Sequence, residues 1–541
     1  MNEVHKVAQK LASEQKEISI SQFFEKNRHL LGYDNKAKAL LTIVKEAVDN
    51  ALDATEEAGI LPDIYVKVEE LEKEKYKIVV RDNGPGVVKK QVPLIFGKLL
   101  YGSKFHKLKQ SRGQQGIGIS GCVLYSQLTT GEPTTIITST GDGKTHKYKL
   151  KIDIRHNEPK IVENEVRDDG VVWHGVQVTF IAEGLYREHK QSIPEYLKQT
   201  AIANPYANII FDSPTGRIEF KRVVNELPKK PKEIKPHLYG VEVGVMARML
   251  HETKARTLLG FLVSEFSRVG KQSAEEICKK AEIDPMISPR KLEHKDVVNL
   301  IKAVKEVKLS RPPTDCLSPL GAHFIEEGLK KELNPEWVSA ISRPPTVYRG
   351  WPFQIEVGIA YGGSITEPYI MRLANRVPLL YQQGDCAITK AITLVDWRRY
   401  GLSGNKIPEA PVAIFVHIVS VWVPFTSESK EAVASYPAII KEIKLALQDC
   451  ARRLSVYLSG VRRAQRIKEK KMIYQKYADE TAEALAELTG ENKEKIKNML
   501  LKMVEMRWGE MEEEMPPEEV KENTEGSGEN GEGNNEARGE E

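Results

Sequence analysis

Leu41-Thr-Ile-Val-Lys-Glu-Ala-Val-Asp-Asn-Ala-Leu-Asp53 decides how the chain is read. Glu46, Asn50 and Asp53 recur at i, i+4 and i+7, while Val44, Ala47, Val48, Ala51 and Leu52 supply an apolar stripe. The spacing predicts an amphipathic helix with an acidic, amide-bearing face. A carboxylate and an amide one turn apart suit a hydrolytic nucleotide site, because the amide oxygen is a hard ligand for Mg²⁺ and the carboxylate can polarise a water. Downstream, Asp82-Asn-Gly-Pro-Gly86 follows the apolar Tyr76-Lys-Ile-Val-Val80. It reads as a strand running into a tight glycine turn that presents Asp82 at the strand end. In Gly113-Gln-Gln-Gly-Ile-Gly-Ile-Ser-Gly121 the glycines let the backbone approach a ligand and point N–H groups at phosphate oxygens. Ser120, Cys122, Val123 and Leu124 then begin a helix whose N-terminus adds its positive dipole.

Glu-x-x-x-Asn-x-x-Asp, Asp-x-Gly-x-Gly and Gly-x-x-Gly-x-Gly, in this order within about 80 residues, resemble the GHKL ATPases. That family includes gyrase, MutL, histidine kinases and the large heat-shock chaperones. The resemblance implies an ATP site with Mg²⁺, in which Glu46 is the general base, Asn50 the Mg²⁺ ligand and Asp82 the acceptor for the adenine amino group. Gly113, Gln114, Gln115, Gly116, Ile117, Gly118, Ile119 and Ser120 would form the phosphate-binding lid. Ser103 and Lys104 precede that lid in a loop that is either solvated or, as in the resembled family, laid against the nucleotide. The family commonly has a threonine after the glycine of the strand Gly175-Val-Gln-Val-Thr-Phe180; this chain departs from it with Val176, and Thr179 would face the other side of the strand.

The 541 residues are enough for three or four domains of ~150 residues each. Lys and Arg total 80 against 76 Asp and Glu, a net of +4, and since the last thirty residues are strongly acidic the remainder is more basic than that sum. Five cysteines, Cys122, Cys278, Cys316, Cys386 and Cys450, lack C-x-x-C spacing. They are expected as small buried residues rather than a metal cluster or disulfide framework. No run approaches the ~18 apolar residues of a membrane span, so a soluble, cytoplasmic, nucleoid-associated protein with no membrane contact is expected.

Residues 1 to 35 contain a helix that either packs simply or, as in dimerising GHKL proteins, forms an arm capping the partner's site. Strands are predicted at Tyr65–Glu69, Tyr76–Val80, Thr134–Thr138, His146–Asp153 and Gly175–Phe180, with a short helix over Phe96–His106 running into the loop. Gly143-Lys-Thr145 reads as a hairpin turn, because Thr138 stands where a phosphate loop needs its first glycine. Pro228-Lys-Lys-Pro-Lys-Glu-Ile-Lys-Pro236 is a basic linker to an all-helical stretch over 237–308, with helical spacing in Leu250–Leu262, Ser273–Ala281 and His294–Val304. Its Arg256, Arg268, Lys271, Lys279, Lys280, Arg290 and Lys291 form either a solvated face or a phosphate-binding one. Two extended connectors, Ser310-Arg-Pro-Pro-Thr314 and Ser342-Arg-Pro-Pro-Thr346, bracket Gly321–Lys331. Strands at Phe353–Ala360, Ile370–Pro378 and Pro411–Ser420 then form a second α/β domain finished by two long helices. Lys430 lies in the loop between the last of those strands and the helices. Arg462–Lys471 is a basic stretch, the helices after it are amphipathic, and the Glu-, Gly- and Asn-rich end is expected to be disordered.

This order of modules over about residues 18 to 505 resembles the B subunits of archaeal topoisomerase VI, the type IIB topoisomerases. The resemblance implies an α+β multidomain chain: 1–228, a GHKL sandwich with an N-terminal arm; 229–308, a helix-two-turns-helix domain; 309–508, a transducer with a long C-terminal helix; 509–541, an acidic tail. Lys430 would reach the γ-phosphate. ATP would close two B subunits, joined to two topoisomerase VI A subunits in an A2B2 heterotetramer, around one double-stranded DNA while the A subunits cleave another. With nineteen tyrosines and no accompanying carboxylate cluster, no DNA-cleaving tyrosine can be assigned here. A MutL-like repair ATPase and a chaperone clamp are the alternatives; the helical stretch argues against the first, and a steep salt dependence with DNA-stimulated hydrolysis would exclude the second.

Overall fold

A computed structural model describes residues 3–15, 17–103, 107–113, 116–168, 170, 173–427 and 429–513. Lys104, Gln114, Gln115 and the acidic stretch after 513 lie outside these described residues. Helices α1 (Glu3–Glu14) and α2 (Ile20–Lys26) lead to α3 (Lys36–Ala58). The Asn35 side chain caps α3 by accepting the Lys38 N–H at 2.9 Å. Gly59 ends it at φ +77, a conformation glycine adopts without steric cost. The predicted apolar stripe is the buried face: Ile43, Val44, Val48 and Leu52 expose no surface.

Around it come β1 (Asp63–Glu72), β2 (Lys75–Arg81), α4 (Val92–Gly97), α5 (Gly118–Thr130), β3 (Thr134–Thr140) and β4 (Lys144–Asp153). Then follow β5 (Glu158–Asp168), β6 (His174–Glu183), α6 (Ile193–Ala203), β7 (Asn208–Ser213) and β8 (Gly216–Phe220). The strands form one sheet in the order β5-β4-β3-β6-β2-β1-β7-β8, antiparallel except for the β1–β7 pair. Alternating burial along β1, β2 and β6 turns one face of the sheet toward α3, α5 and α6. The β3–β4 turn carries Gly141 and Gly143 at φ +83 and +80, a hairpin as expected. The short helix falls earlier than predicted, because Pro93 starts α4 in its first turn and Gly97, pressed against Pro159, ends it. Strands β5 and β8 are exposed along most of their length and carry no period-2 apolar signal to read.

Next, α7 (Val243–Glu252), α8 (Leu258–Glu265), α9 (Lys271–Ala281) and α10 (His294–Glu306) enclose their own core, with Met246, Leu258, Phe261, Ile277 and Leu300 fully buried. The run Leu250–Leu262, predicted as one helix, breaks after Glu252: Thr253 is extended, and Thr257 restarts α8 by accepting the Gly260 N–H at 3.1 Å.

The second α/β region holds α11 (Ala322–Leu333), β9 (Trp337–Ser342), β10 (Thr346–Tyr348), β11 (Trp351–Tyr361), β12 (Tyr369–Ala374), β13 (Val377–Pro378), α12 (Ala387–Thr393) and β14 (Val412–Ser420). Its sheet runs β10-β11-β14-β12-β13, with β9 also paired to β11. The predicted strand Ile370–Pro378 folds back on itself at Asn375 and Arg376, which take φ +47 and +67. This region shares a core with α6 and the loop after it, where Ile202, Ala203 and Tyr206 join Ile325, Leu329 and Phe415. Gly328 of α11 lies so close to α6 that a Cβ there would stand 2.2 Å from the Ile202 carbonyl oxygen.

Helices α13 (Pro437–Thr489) and α14 (Lys493–Glu513) end the described chain. From Val456 onward they form a separate compact unit, tied internally by Lys497–Asp479 at 2.8 Å and Lys493–Glu483 at 2.7 Å. All five cysteines are free and buried. No described helix is long and apolar enough to cross a membrane.

Candidate active site

Helix α3 turns Glu46 and Asn50 into a cleft of about 640 Å³, a volume ordinary for a nucleotide-sized ligand. Opposite them α5 begins at Gly118 with no side-chain cap. The N–H groups of its first turn therefore have no helical acceptor, and the helix dipole adds positive potential there. A Cβ on Gly118 would stand 1.9 Å from Glu46 Oε2, so only glycine lets the carboxylate lie against the helix start. Gly116 takes φ +61, the left-handed turn that brings the lid backbone back toward the cleft. A Cβ on Gly113 would lie 3.9 Å from Asn50 Oδ1. Gly113, Gly116, Ile117, Gly118, Ile119 and Ser103 all line the cleft.

Lys430 enters the same cleft from the loop after β14. It is buried, takes φ +53, and donates from Nζ to the Arg112 carbonyl at 3.0 Å, at the root of the lid. The neighbouring Glu431 pairs with Lys38 of α3. Lys38 also meets Asp34 at 2.9 Å and lies 5.0 Å from the centre of the Tyr381 ring. Burial pulls the Lys38 ammonium down, yet the Glu431 and Asp34 carboxylates outweigh it and hold its pKa above the ordinary lysine value.

Two expected residues sit differently. Asp82 is buried and does not line this cleft: its Oδ1 accepts the N–H groups of Gly84 (2.7 Å) and Val176 (3.2 Å). Burial pushes its pKa to about 6, against the pull of those two N–H groups. Ser120 turns its hydroxyl into the protein, donating to the Ile117 carbonyl at 3.1 Å, so its side chain contributes nothing to the lid surface. Beside Val176 across the sheet, the Thr138 hydroxyl donates to the Gly175 carbonyl (3.0 Å) and accepts the Val87 N–H (2.9 Å). Lys104, Gln114 and Gln115 fall outside the described residues.

Sequence reasoning missed the buried charge network behind the cleft. Arg112, immediately before the lid, donates to Asp53 (2.9 Å), Glu56 (2.6 Å) and Asn204 (2.6 Å). Arg376 donates to the other Glu56 oxygen at 2.9 Å, and the Tyr206 hydroxyl to Glu56 at 2.6 Å. Burial raises the Glu56 carboxyl, but the two guanidiniums overcome it and hold the group below the ordinary glutamate range. Asp53 was legible as the third member of the acidic face; asking what neutralises it one or two turns beyond Glu46 was the available signal.

Asn50 offers one amide oxygen beside the glycine lid, a hard donor of the kind Mg²⁺ takes.

Two family models match the chain: the histidine kinase-, DNA gyrase B- and HSP90-like ATPase over residues 35–156, and the topoisomerase VI B subunit transducer over 312–471. Among relatives, the B subunit of type 2 DNA topoisomerase 6 from Archaeoglobus fulgidus is 50% identical over 83% of this chain and 75% of its own length. Its counterpart from Methanosarcina barkeri is 48% identical over 89% and 79%, and that from Pyrococcus furiosus 41% identical over 95% and 99%. A solved structure, the ATPase region of Saccharomyces cerevisiae topoisomerase II, covers 83% of the chain and all of its own at 13% identity and a TM-score of 0.39, too weak a likeness to argue from. With an ATPase module and a topoisomerase VI transducer in one chain, and close to half of the aligned residues shared with named B subunits, the chain belongs to the family of type 2 DNA topoisomerase 6 B subunits.

Proposed function

We propose that this chain binds and hydrolyses ATP as the B subunit of a type IIB DNA topoisomerase, and that hydrolysis gates passage of one duplex through a break made by a partner A subunit. The observation that carries the reading is Lys430: a transducer residue lies in the same cleft as Glu46 and the glycine lid.

Glu46 is the base that orients and deprotonates the attacking water, and Asp82 accepts the adenine amino group. The open N–H groups at the start of α5 and the lid backbone at Gly113 and Gly116–Ile119 hold phosphate oxygens as charge develops on them. Ser103, which lines the cleft, joins them in holding phosphate, and the resemblance assigns Lys104, Gln114 and Gln115 to the same task. Asn50 would hold Mg²⁺, which when bound neutralises phosphate charge. Lys430 gives up the Arg112 carbonyl for the γ-phosphate and returns to it after hydrolysis, so transducer position follows nucleotide state. ATP-bound chains dimerise, and with two A subunits form an A2B2 assembly on double-stranded DNA.

Relaxation of supercoiled plasmid with ATP and Mg²⁺, by this chain alone and with candidate A subunits, tests the whole reading; relaxation only with a partner is expected. Glu46→Ala should lower ATP turnover by roughly 10²–10⁴-fold while leaving nucleotide binding intact. Normal turnover in that variant would overturn the role of Glu46.

A further inference from the structure

The turn between β12 and β13 is held with unusual redundancy. Asn375 and Arg376 both take left-handed backbone angles, which cost energy in non-glycine residues and persist where the surroundings over-determine them. The Arg376 N–H donates to His417 Nε2 at 2.8 Å, so the imidazole carries its proton on Nδ1, 2.9 Å from Glu356 Oε2. His417 and Glu356 expose no surface, and Glu356 also accepts the Leu320 and Gly321 N–H groups at 2.9 and 2.7 Å. A buried, fully bonded dyad thus fixes the backbone of the turn.

From that fixed point two side chains reach the first sheet's domain. Asn375 Nδ2 donates to the Ser111 carbonyl at 3.2 Å, and Arg376 forks onto Glu56 Oε2 and the Ser318 carbonyl, each at 2.9 Å. Gln110 exchanges hydrogen bonds with Ser318 at 3.1 and 2.7 Å, and Lys430 holds the Arg112 carbonyl. Three consecutive residues at the root of the lid, Gln110, Ser111 and Arg112, are therefore each held by a residue from beyond position 310. Glu56 lies ten residues past Glu46 on one helix, about 15 Å along its axis. A close-packed helix passes a displacement at one end to the other instead of absorbing it.

We propose that the Asn375-Arg376 turn is a positioning device for hydrolysis: it sets the lid root and the Glu46 face of α3 in one register, with Arg376 acting on Glu46 through Glu56. This coupling is distinct from the γ-phosphate contact proposed above for Lys430. Arg376 is a positioning residue, since it does not line the cleft and acts through Glu56. The proposal rests on the reading of Glu46 as the base, which wild-type turnover and its loss in Glu46→Ala test independently.

The experiment measures kcat and KM for ATP, and the Kd of the non-hydrolysable analogue AMP-PNP, on full chains carrying Arg376→Gln, Arg376→Lys or Asn375→Gly. Arg376→Gln should keep KM and Kd while kcat falls by roughly tenfold or more, because a small misplacement of the base costs rate and not binding. Arg376→Lys should recover part of kcat, since an ammonium still reaches Glu56. Asn375→Gly keeps the backbone angles of the turn, since glycine adopts them freely, but it frees Ser111 and also gives up the side chain's paired hydrogen bonds with the Ser420 backbone at 2.9 and 3.0 Å. It should speed amide exchange over residues 107–113 and lower kcat. Wild-type kcat in folded Arg376→Gln, or a change confined to Kd and KM, overturns the proposal. Should Arg376→Gln fail to fold, wild-type kcat in Asn375→Gly overturns it alone.

Discussion

Gly118 shows how much of this site is a matter of single atoms. Its missing Cβ is the space that the Glu46 carboxylate occupies, 1.9 Å from where a methyl group would be. Gly118→Ala should therefore fold normally, since alanine suits a first helical turn, yet lower ATP turnover by roughly 10²-fold by displacing the base; steady-state turnover beside a thermal melt checks it. Asp82 makes a prediction of the opposite kind. Its pKa, raised by burial from 3.8 to about 6, means that the folded protein binds this proton more tightly than the unfolded chain does. Its contribution is most favourable below pH 4 and declines as pH climbs through 6, a difference of ~3 kcal/mol at neutral pH. Asp82→Asn keeps an oxygen for the Gly84 and Val176 N–H groups but removes the buried charge. It should melt at a higher temperature than wild type at pH 7.5, lose that advantage toward pH 4, and bind ATP more weakly. Paired melts across pH and ATP titrations decide it. The acidic, amide-bearing face of α3 was legible because helix periodicity aligns Glu46, Asn50 and Asp53; Arg376 was not, because nothing local ties it to a carboxylate 320 positions away.

Elements were readable where burial imposes a period and unreadable where it does not. Helix α3, buried on one face from Ala39 to Leu52, announced itself. Strand β5, with no buried face, did not. The break between α7 and α8 was hidden because the apolar spacing continues through it, and only the threonines mark it. That break yields a local test. Thr257→Ala removes the cap of α8 and should destabilise the four-helix block by about 1 kcal/mol. Since that block has its own core, amide exchange should rise across α7–α10 while ATP turnover stays at the wild-type value.

At the scale of the whole chain, residues up to Ser455 form one compact unit that contains every residue of the cleft, and the chain from Val456 forms another. A protein ending at Gly460 should accordingly bind AMP-PNP with the affinity of the full chain; titration calorimetry on the two proteins checks it. The five cysteines are distributed along this chain without one reaching solvent. Burial pushes Cys278 and Cys316 up to about 11 and Cys450 to about 12, far from the thiolate form that alkylating reagents attack. The native protein thus offers a silent background for maleimide chemistry: a single cysteine introduced on α1 or on the far end of α13 would take a fluorophore alone, and every endogenous thiol that reacts would report a molecule already unfolding.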